Sequence, residues 1–295
     1  MTTNPLCSGF EFHNWDLRLS SFRNLKSLSW KGLGSKSELG TLRHALEELQ
    51  TQLVDLELDF LNWEEFKYGV LWTPEWHDTT NHPDLVTTEI LPISQDSTAT
   101  AFPALRRLSL SELSFENEAA MKNIANAIDF SLIEELSLLN CLGWQQLLIQ
   151  VCELHQINLK SLNIKQHGIW DQDTADPAST ISTVLDHFTS LRELTLSIPT
   201  PSYGTLKIWR SILHHRATMR RLVHHERAET WDDALNISET FDNLKMDLKS
   251  YNILQLQDQS NNPLASLDLE FLGLSCKFSI LVQLCAFFIL PVCIC

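Results

Sequence analysis

The sequence has few positive charges and none of the short motifs that mark the common enzyme active sites. It contains 22 Lys and Arg residues against 37 Asp and Glu residues, which gives a formal net charge of −15. Nonspecific binding to nucleic acid needs Lys and Arg contacts to phosphates, so this balance argues against it. A G-x-S-x-G elbow, a glycine-rich phosphate loop and an H-E-x-x-H zinc motif are also missing. We therefore expect a protein that is not an enzyme, has no catalytic residues and binds no nucleic acid.

Paired cysteines and an export signal are missing too. Seven cysteines are scattered along the chain without a C-x-x-C pair, and their odd number argues against a disulfide framework. The sequence does not begin with a basic stretch followed by an apolar run, as a signal peptide would. We expect an intracellular protein, cytoplasmic or nuclear.

Two weak patterns could be taken for metal sites. The segment from Asp171 to Asp176 resembles the start of a calcium loop, but it lacks the glycine at the sixth position and the glutamate at the twelfth. The histidine pairs at 214–215 and 224–225 have no framing cysteine or carboxylate. We interpret the first pattern as a turn that ends in a helix cap and the second as a basic, solvated stretch. We expect no metal and no cofactor.

What the sequence does contain is one apolar pattern that occurs eight times. The clearest copy, from Ile133 to Cys141, has the spacing L-x-x-L-x-L-x-x-N/C. Side chains alternate along a strand, so Leu136 and Leu138 are predicted to point into a core. Most first positions are 26 to 32 residues apart, with two longer steps of 52 and 45 residues. The other copies are Leu25/Leu28/Trp30, Leu53/Leu56/Leu58, Leu105/Leu108/Leu110, Leu159/Leu162/Ile164, Leu191/Leu194/Leu196, Met219/Leu222/His224 and Leu264/Leu267/Leu269.

By these motifs the chain resembles irregular, long-repeat leucine-rich proteins, close to the ribonuclease-inhibitor type and to the leucine-rich region of fungal F-box-like proteins. The resemblance covers roughly residues 20–272. It implies an α/β leucine-rich-repeat solenoid of about 8–9 irregular repeats, with a parallel β-sheet on the concave face and helices on the convex face. The chain departs from the pattern where Leu33 and Leu113 occupy the Asn/Cys position and where His224 occupies a core position. An F-box itself is not visible.

We predict three segments: an amino-terminal lead-in over 1–21, a repeat region over 22–272 and an apolar, cysteine-rich tail over 273–295. An insertion at about 59–101 accounts for the 52-residue step, unless one repeat has been lost there. Its part 79–100 has no apolar period, so we expect it on the surface and least ordered.

Helices are expected to follow the strands. Two of them are predicted to start where a capping residue precedes a proline, at Asp176-Pro177 and at Thr200-Pro201. The apolar spacing from Ile237 to Leu254 predicts a long amphipathic helix of about five turns.

The tail permits three interpretations. Phe278 to Cys295 contains no charged residue, and a stretch of this length approaches what is needed to span a bilayer. It could be an unusual chain end, a cap folded against the last repeat, or a membrane anchor.

The predicted binding surface is the face of the strands that points away from the core. Asp55, Glu57 and Asp59 share that face, and three carboxylates so close repel one another unless a cation comes from a neighbouring strand or from a partner. Lys31 and Arg107 are the internal candidates; otherwise a basic segment of a partner protein would be attracted. The predicted partner-binding residues are Asp55, Glu57, Asp59, Arg107, Glu135, Asn163, Glu193 and Asp268.

Three functional hypotheses follow. The first is a non-catalytic scaffold for protein–protein interaction, and the resemblance to F-box-like proteins implies substrate recognition for a ubiquitin ligase. The second is a membrane-tethered binding protein anchored by residues 278–295. The third is an enzyme whose catalytic residues lie in the insertion at 59–101.

Overall fold

Eight strands form one parallel sheet in this protein. The computed structural model describes residues 21–33, 36–60, 86–93, 100–115, 117–166, 176–198, 202–226 and 266–274. Within these ranges every neighbouring pair of strands is parallel, and the order in the sheet follows the order in the chain. The strands are β1 (Ser27–Leu33), β2 (Asp55–Phe60), β3 (Arg107–Ser111), β4 (Glu135–Leu139), β5 (Ser161–Lys165), β6 (Glu193–Ile198), β7 (Arg221–Glu226) and β8 (Phe271–Leu274).

One layer of helices covers one face of this sheet. The described ranges contain α1 (Lys36–Leu49), α2 (Glu118–Ala127), α3 (Trp144–Leu154), α4 (Pro177–Asp186) and α5 (Ser202–Ile212), and a 3₁₀ turn (Leu213–His215) extends the last of these. From α2 onward each helix packs against the next. Apolar side chains from the helices and from alternate strand positions form one continuous core. The architecture is therefore α/β with an all-parallel sheet, and at that level the sequence prediction is confirmed.

The strand register aligns the predicted core leucines in two columns. Leu56, Leu108, Leu136, Leu162 and Leu194 lie side by side on successive strands, as predicted. Burying a leucine side chain stabilises a fold by roughly 1.5–3 kcal/mol, so β1 to β7 are held by the same interaction, whereas Leu272 of β8 is 40% exposed. The first core column is Leu28, Leu56, Leu108, Leu136, Leu162, Leu194, Leu222 and Leu272; the second core column is Trp30, Leu58, Leu110, Leu138, Ile164, Leu196, His224 and Leu274.

The backbone adopts the same left-handed conformation near the end of several strands. Gly32, Glu112 and Asn140 occupy equivalent positions, five residues after the first residue of their strands, and all have a positive φ of 81°, 60° and 52°. Glycine adopts this left-handed conformation without strain, whereas the two others need local support. Asn140 Nδ2 donates to Glu112 Oε1 (2.6 Å), which links the two turns.

The last strand differs from the prediction. Leu222 of β7 pairs with Leu272, so the final copy of the pattern is Leu269/Leu272/Leu274 and not Leu264/Leu267/Leu269. Both triplets have the same spacing, and only pairing with β7 distinguishes them. The repeat pattern therefore continues to Leu274, two residues into the predicted tail.

The predicted surface insertion contains a packed element. Residues 86–93 include a five-residue π-helical turn, Val86–Ile90, and Val86, Ile90, Leu91 and Ile93 are buried in the core. This turn contacts both α1 and α2, so it fills the place of a helix between β2 and β3. The prediction of a surface segment is wrong for these residues, because their apolar side chains do not follow a regular helical period. Since β2 pairs directly with β3, no strand is missing in the 52-residue step.

Arg43 of α1 attaches this turn to the helical layer. Its Nη1 atom donates to the backbone oxygens of Thr87 (3.1 Å) and Leu91 (3.0 Å). A guanidinium therefore donates to two backbone carbonyl groups of the turn, and carbonyl groups at the end of a helical turn commonly need such side-chain donors.

One predicted helix start is confirmed. Asp176 accepts a hydrogen bond from the backbone amide of Ala178 (3.2 Å), and Pro177 is the first residue of α4. The Thr200-Pro201 pair lies outside the described residues, directly before α5. Also outside them are residues 1–20, the predicted helix over 237–254 and residues 275–295. Among the helices that the structure does describe, none is long and apolar enough to cross a membrane.

Candidate partner-binding face

The face of the sheet opposite the helices consists of three columns of side chains, which we call the open face. Most of these side chains are polar and are exposed or half-buried. The first column is Ser27, Asp55, Arg107, Glu135, Ser161, Glu193, Arg221 and Phe271; the second is Ser29, Glu57, Ser109, Ser137, Asn163, Thr195, Val223 and Gly273; the third is Lys31, Asp59, Ser111, Leu139, Lys165, Ser197 and His225.

Two of the three carboxylates on β2 are neutralised by neighbouring strands. Arg107 Nη2 donates to Asp55 Oδ2 (2.9 Å), and Lys31 Nζ lies 2.7 Å from Glu57 Oε1. Ser29 Oγ also donates to Glu57 Oε2 (2.6 Å). Lys31 and Ser29 together hold the pKa of the Glu57 carboxyl below its ordinary value, because both interactions favour the charged form. The two internal candidates named from the sequence therefore both take this role.

Asp59 is the carboxylate of β2 that remains available. It accepts no hydrogen bond from any residue in the described ranges, although its charge acts on Lys31, whose pKa is raised first by the hydrogen bond and charge of Glu57 and then by Asp59. In the described strands the open face carries five carboxylates and four Lys or Arg side chains. The described open face is therefore nearly balanced in charge, whereas β2 taken alone is acidic, and a basic partner segment stays a prediction.

The centre of the open face is formed by short polar side chains. Asn163 Nδ2 donates to Ser137 Oγ (2.9 Å), while Asn163 Oδ1 is buried and has no hydrogen-bond partner in the described structure. Ser109 and Thr195 continue this row on either side. Such side chains offer hydrogen bonds without filling the space above the sheet.

The predicted site residues do not all belong to one surface. Seven of them lie on the open face, and Glu135 and Glu193 flank Ser161 in its first column. Asp268 is the exception. It was predicted to lie on the last strand, but it lies before β8. Its carboxylate lies 3.5 Å from Nη1 of Arg220, the residue directly before β7. Asp268 therefore lies outside the three columns, and its predicted position on the last strand is wrong.

Phe271 is the open-face residue that the sequence prediction missed. It lies next to Arg221, whose guanidinium carbon is 4.2 Å from the ring centroid. The triplet Leu269/Leu272/Leu274 contains the signal that would have located it, since the residue before Leu272 in that pattern must face outward.

The histidine pairs are only partly solvated, which corrects the interpretation of a basic, solvated stretch. His215 and His224 are both buried, while His214 and His225 point outward. Burial lowers the pKa of His215, and it lowers the pKa of His224 to about 4. His224 occupies the second core column beside Trp209, with ring centroids 6.0 Å apart. These two histidines are therefore neutral core residues at neutral pH.

Reactive or metal-binding groups are not assembled on the described residues. Cys141 and Cys152 are buried, and burial raises the pKa of their thiols to about 12 and about 11. The thiolate is the nucleophilic form, so neither side chain is activated. In the described ranges no three His, Cys, Asp or Glu side chains come together in a way that could hold a metal ion.

Comparison with protein-family models, with curated proteins and with solved structures gives no match for this chain. The fold and the side chains of the open face therefore carry the functional argument. They define an α/β protein with an eight-stranded parallel sheet, covered by helices on one side and lined on the other by in-register polar columns.

Proposed function

We propose that this chain is a leucine-rich-repeat solenoid that acts as a non-catalytic scaffold and binds partner proteins through the open face. The observation that carries the proposal is the register. Eight strands with one spacing of leucines place the same three outward positions side by side, strand after strand. Stacked repeats of this kind form long surfaces that are used for protein recognition.

The chemistry of the open face supports protein recognition over catalysis. Its charged groups alternate along the first column, with Asp55, Arg107 and Glu135 on adjacent strands. Its central row of Ser, Thr and Asn side chains suits hydrogen bonds to the backbone and polar side chains of a partner. Alternating charges and accessible hydrogen-bonding groups give specificity and register to a protein interface. The resemblance to F-box-like leucine-rich proteins makes a ubiquitin-ligase substrate the first class of partner to examine.

The proposal is tested by obstructing the open face without touching the core. Ser137→Arg combined with Thr195→Arg places two large side chains above the central row. As a matched control, Thr183→Arg combined with Asn126→Arg adds the same groups on the exposed surfaces of α4 and α2. Proteins captured from a cell lysate by the full chain, by the open-face variant and by the control are then quantified by mass spectrometry.

We expect the open-face variant to lose its specifically captured proteins while the helix-surface control retains them, with closely similar melting temperatures for all three proteins. Equal capture by both variants would show that recognition does not use the open face. Loss by the helix-surface control alone would move the binding site to the helical layer.

A further inference from the structure

One exposed aromatic side chain stands out on the open face. Phe271 is 46% exposed, and in the described strands the first column otherwise contains only Ser, Asp, Arg and Glu. A large apolar side chain gains little from water, and Phe271 together with Val223 offers an apolar contact area at the end of a polar column.

The ring of Phe271 is held in place before any partner arrives. Arg221 stacks on it at 4.2 Å. A Cβ placed on Gly273 would lie 3.4 Å from Phe271 Cε1 and 3.4 Å from each Val223 methyl group, so the ring and Val223 lie together above the bare backbone of Gly273. An aromatic ring fixed in this way loses little conformational entropy on binding, which is a property of interface anchors.

The charge beside the ring specifies what the anchor would bind. Arg221 forms no ion pair within the described structure, although Glu193 is its register neighbour. By contrast, Arg107 is paired with Asp55 and Arg220 lies 3.5 Å from Asp268. A guanidinium stacked on an aromatic ring still presents its N–H edge, whose geometry matches a carboxylate.

We propose that Arg221 and Phe271 form the anchor point of the open face and that they bind an acidic, aromatic segment of a partner protein. A carboxylate of that segment would pair with Arg221, and an aromatic side chain would cover Phe271 and Val223. The chain's own residues 278–295 supply no acidic side chain for Arg221, since they contain no charged residue. The proposal rests on the proposed function, because it names the partner chemistry of the same face.

The test uses a fluorescein-labelled peptide, Gly-Ser-Asp-Phe-Asp-Leu-Gly-Ser, and fluorescence polarisation with the full chain. One control peptide has both aspartates replaced by lysine, and the other has phenylalanine replaced by serine. We expect the acidic, aromatic peptide to bind with a Kd below about 1 mM and each control peptide to bind at least about tenfold more weakly. Affinity for the acidic peptide should also fall as salt rises.

Matched variants assign the binding to the two residues. Arg221→Gln and Phe271→Ser should each weaken binding of the acidic, aromatic peptide by about tenfold or more. Arg210→Gln removes the same charge from an exposed arginine of α5, outside the open face, and Phe22→Ser removes an exposed phenylalanine outside the sheet, so both should bind like the parent chain. Phe271→Tyr preserves the ring and should preserve binding, which separates the loss of an anchor from a folding defect.

Three results would overturn the proposal: no binding of the acidic, aromatic peptide up to about 1 mM, equal or stronger binding of the lysine peptide, or unchanged binding by Arg221→Gln and Phe271→Ser. Each of these leaves the proposed function intact if the Ser137→Arg, Thr195→Arg variant still loses its captured proteins. Conversely, peptide binding at Arg221 and Phe271 together with unchanged protein capture would contradict the proposed function of the whole face.

Discussion

Arg107 and Asp55 are 52 residues apart in the sequence, yet Arg107 Nη2 donates a 2.9 Å hydrogen bond to Asp55 Oδ2 across the boundary between β2 and β3. The contact exists because the long crossover between these strands returns the chain to the adjacent position in the sheet. It converts a strand that is strongly acidic by sequence into a surface with local charge balance. The electrostatic character of the open face is therefore a property of neighbouring strands taken together.

The first prediction concerns the strength of this pair. In a double-mutant cycle of Asp55→Asn and Arg107→Gln, the coupling in the free energy of unfolding should be about 0.2–1 kcal/mol, because both side chains are substantially solvent-exposed. Urea unfolding of the four proteins measures it, and high salt should reduce it. A coupling above about 2 kcal/mol would mean that the pair is far better shielded from water than its exposure indicates.

The second prediction concerns the first core column. Leu136→Ala should lower the free energy of unfolding by about 2–5 kcal/mol, since it removes a buried side chain and leaves a cavity among Leu108 and Leu162. Leu132→Ala makes the same chemical change at an exposed leucine just before β4. It should lower the free energy of unfolding by no more than about 0.5 kcal/mol. Similar losses for both variants, measured by urea unfolding, would contradict the placement of Leu136 in the core.

The third prediction concerns pH. Burial depresses the pKa of His224 from 6.5 to about 4 in the folded chain, so the unfolded chain binds the proton more readily. The contribution of His224 to stability is therefore fully present above pH 6.5 and is lost as the pH falls toward 4. His224→Leu removes this pH dependence. The free energy of unfolding of the variant minus that of the parent chain should therefore be about 2 kcal/mol higher at pH 5 than at pH 7.5.

Urea unfolding at pH 7.5, 6 and 5 measures this difference. His225→Leu is the control, because it changes the adjacent, outward-facing histidine. A parallel pH dependence in His224→Leu and in the parent chain would show that the buried imidazole is not responsible. His215 has a pKa lowered in the same direction by burial, so part of the acid sensitivity should persist in His224→Leu.

The fourth prediction concerns the packed turn at 86–93. Arg43→Met removes the donors to the carbonyl groups of Thr87 and Leu91, and it should speed amide hydrogen exchange in this segment more than in α1. Glu47→Gln removes the charge that contacts Arg43 and His44 but leaves the Arg43 donors to the turn, so exchange at 86–93 should remain close to that of the parent chain. If both variants exchange alike, the carbonyl contacts of Arg43 do not hold the turn.

The repeated spacing of leucines was sufficient to predict the strands up to β7 and their core-facing side chains. The signal is local: within about six residues, alternation assigns each side chain to one face, and any strand buried on that face must respect it. Leu136 and Leu162 could therefore be placed in one column without coordinates. The signal for the helix start at Asp176 was equally local, since a capping side chain and the proline after it act within one helical turn.

Other features depended on contacts between distant segments. Two triplets with equal spacing competed for the last strand, and pairing with β7 selected Leu272 over Leu267. Ile90 and Leu91 follow no regular period, yet they are buried because the space between α1 and α2 needs filling. Likewise, the sequence made Arg107 only a candidate partner for the β2 carboxylates, and nothing in the order of residues places Phe271 under Arg221. The sequence alone determines which face each strand side chain takes, because alternation is a property of the extended backbone. Which side chains meet across strands depends on how the crossovers between the strands fold. Those contacts determine the charge balance of the open face and the exposure of its side chains.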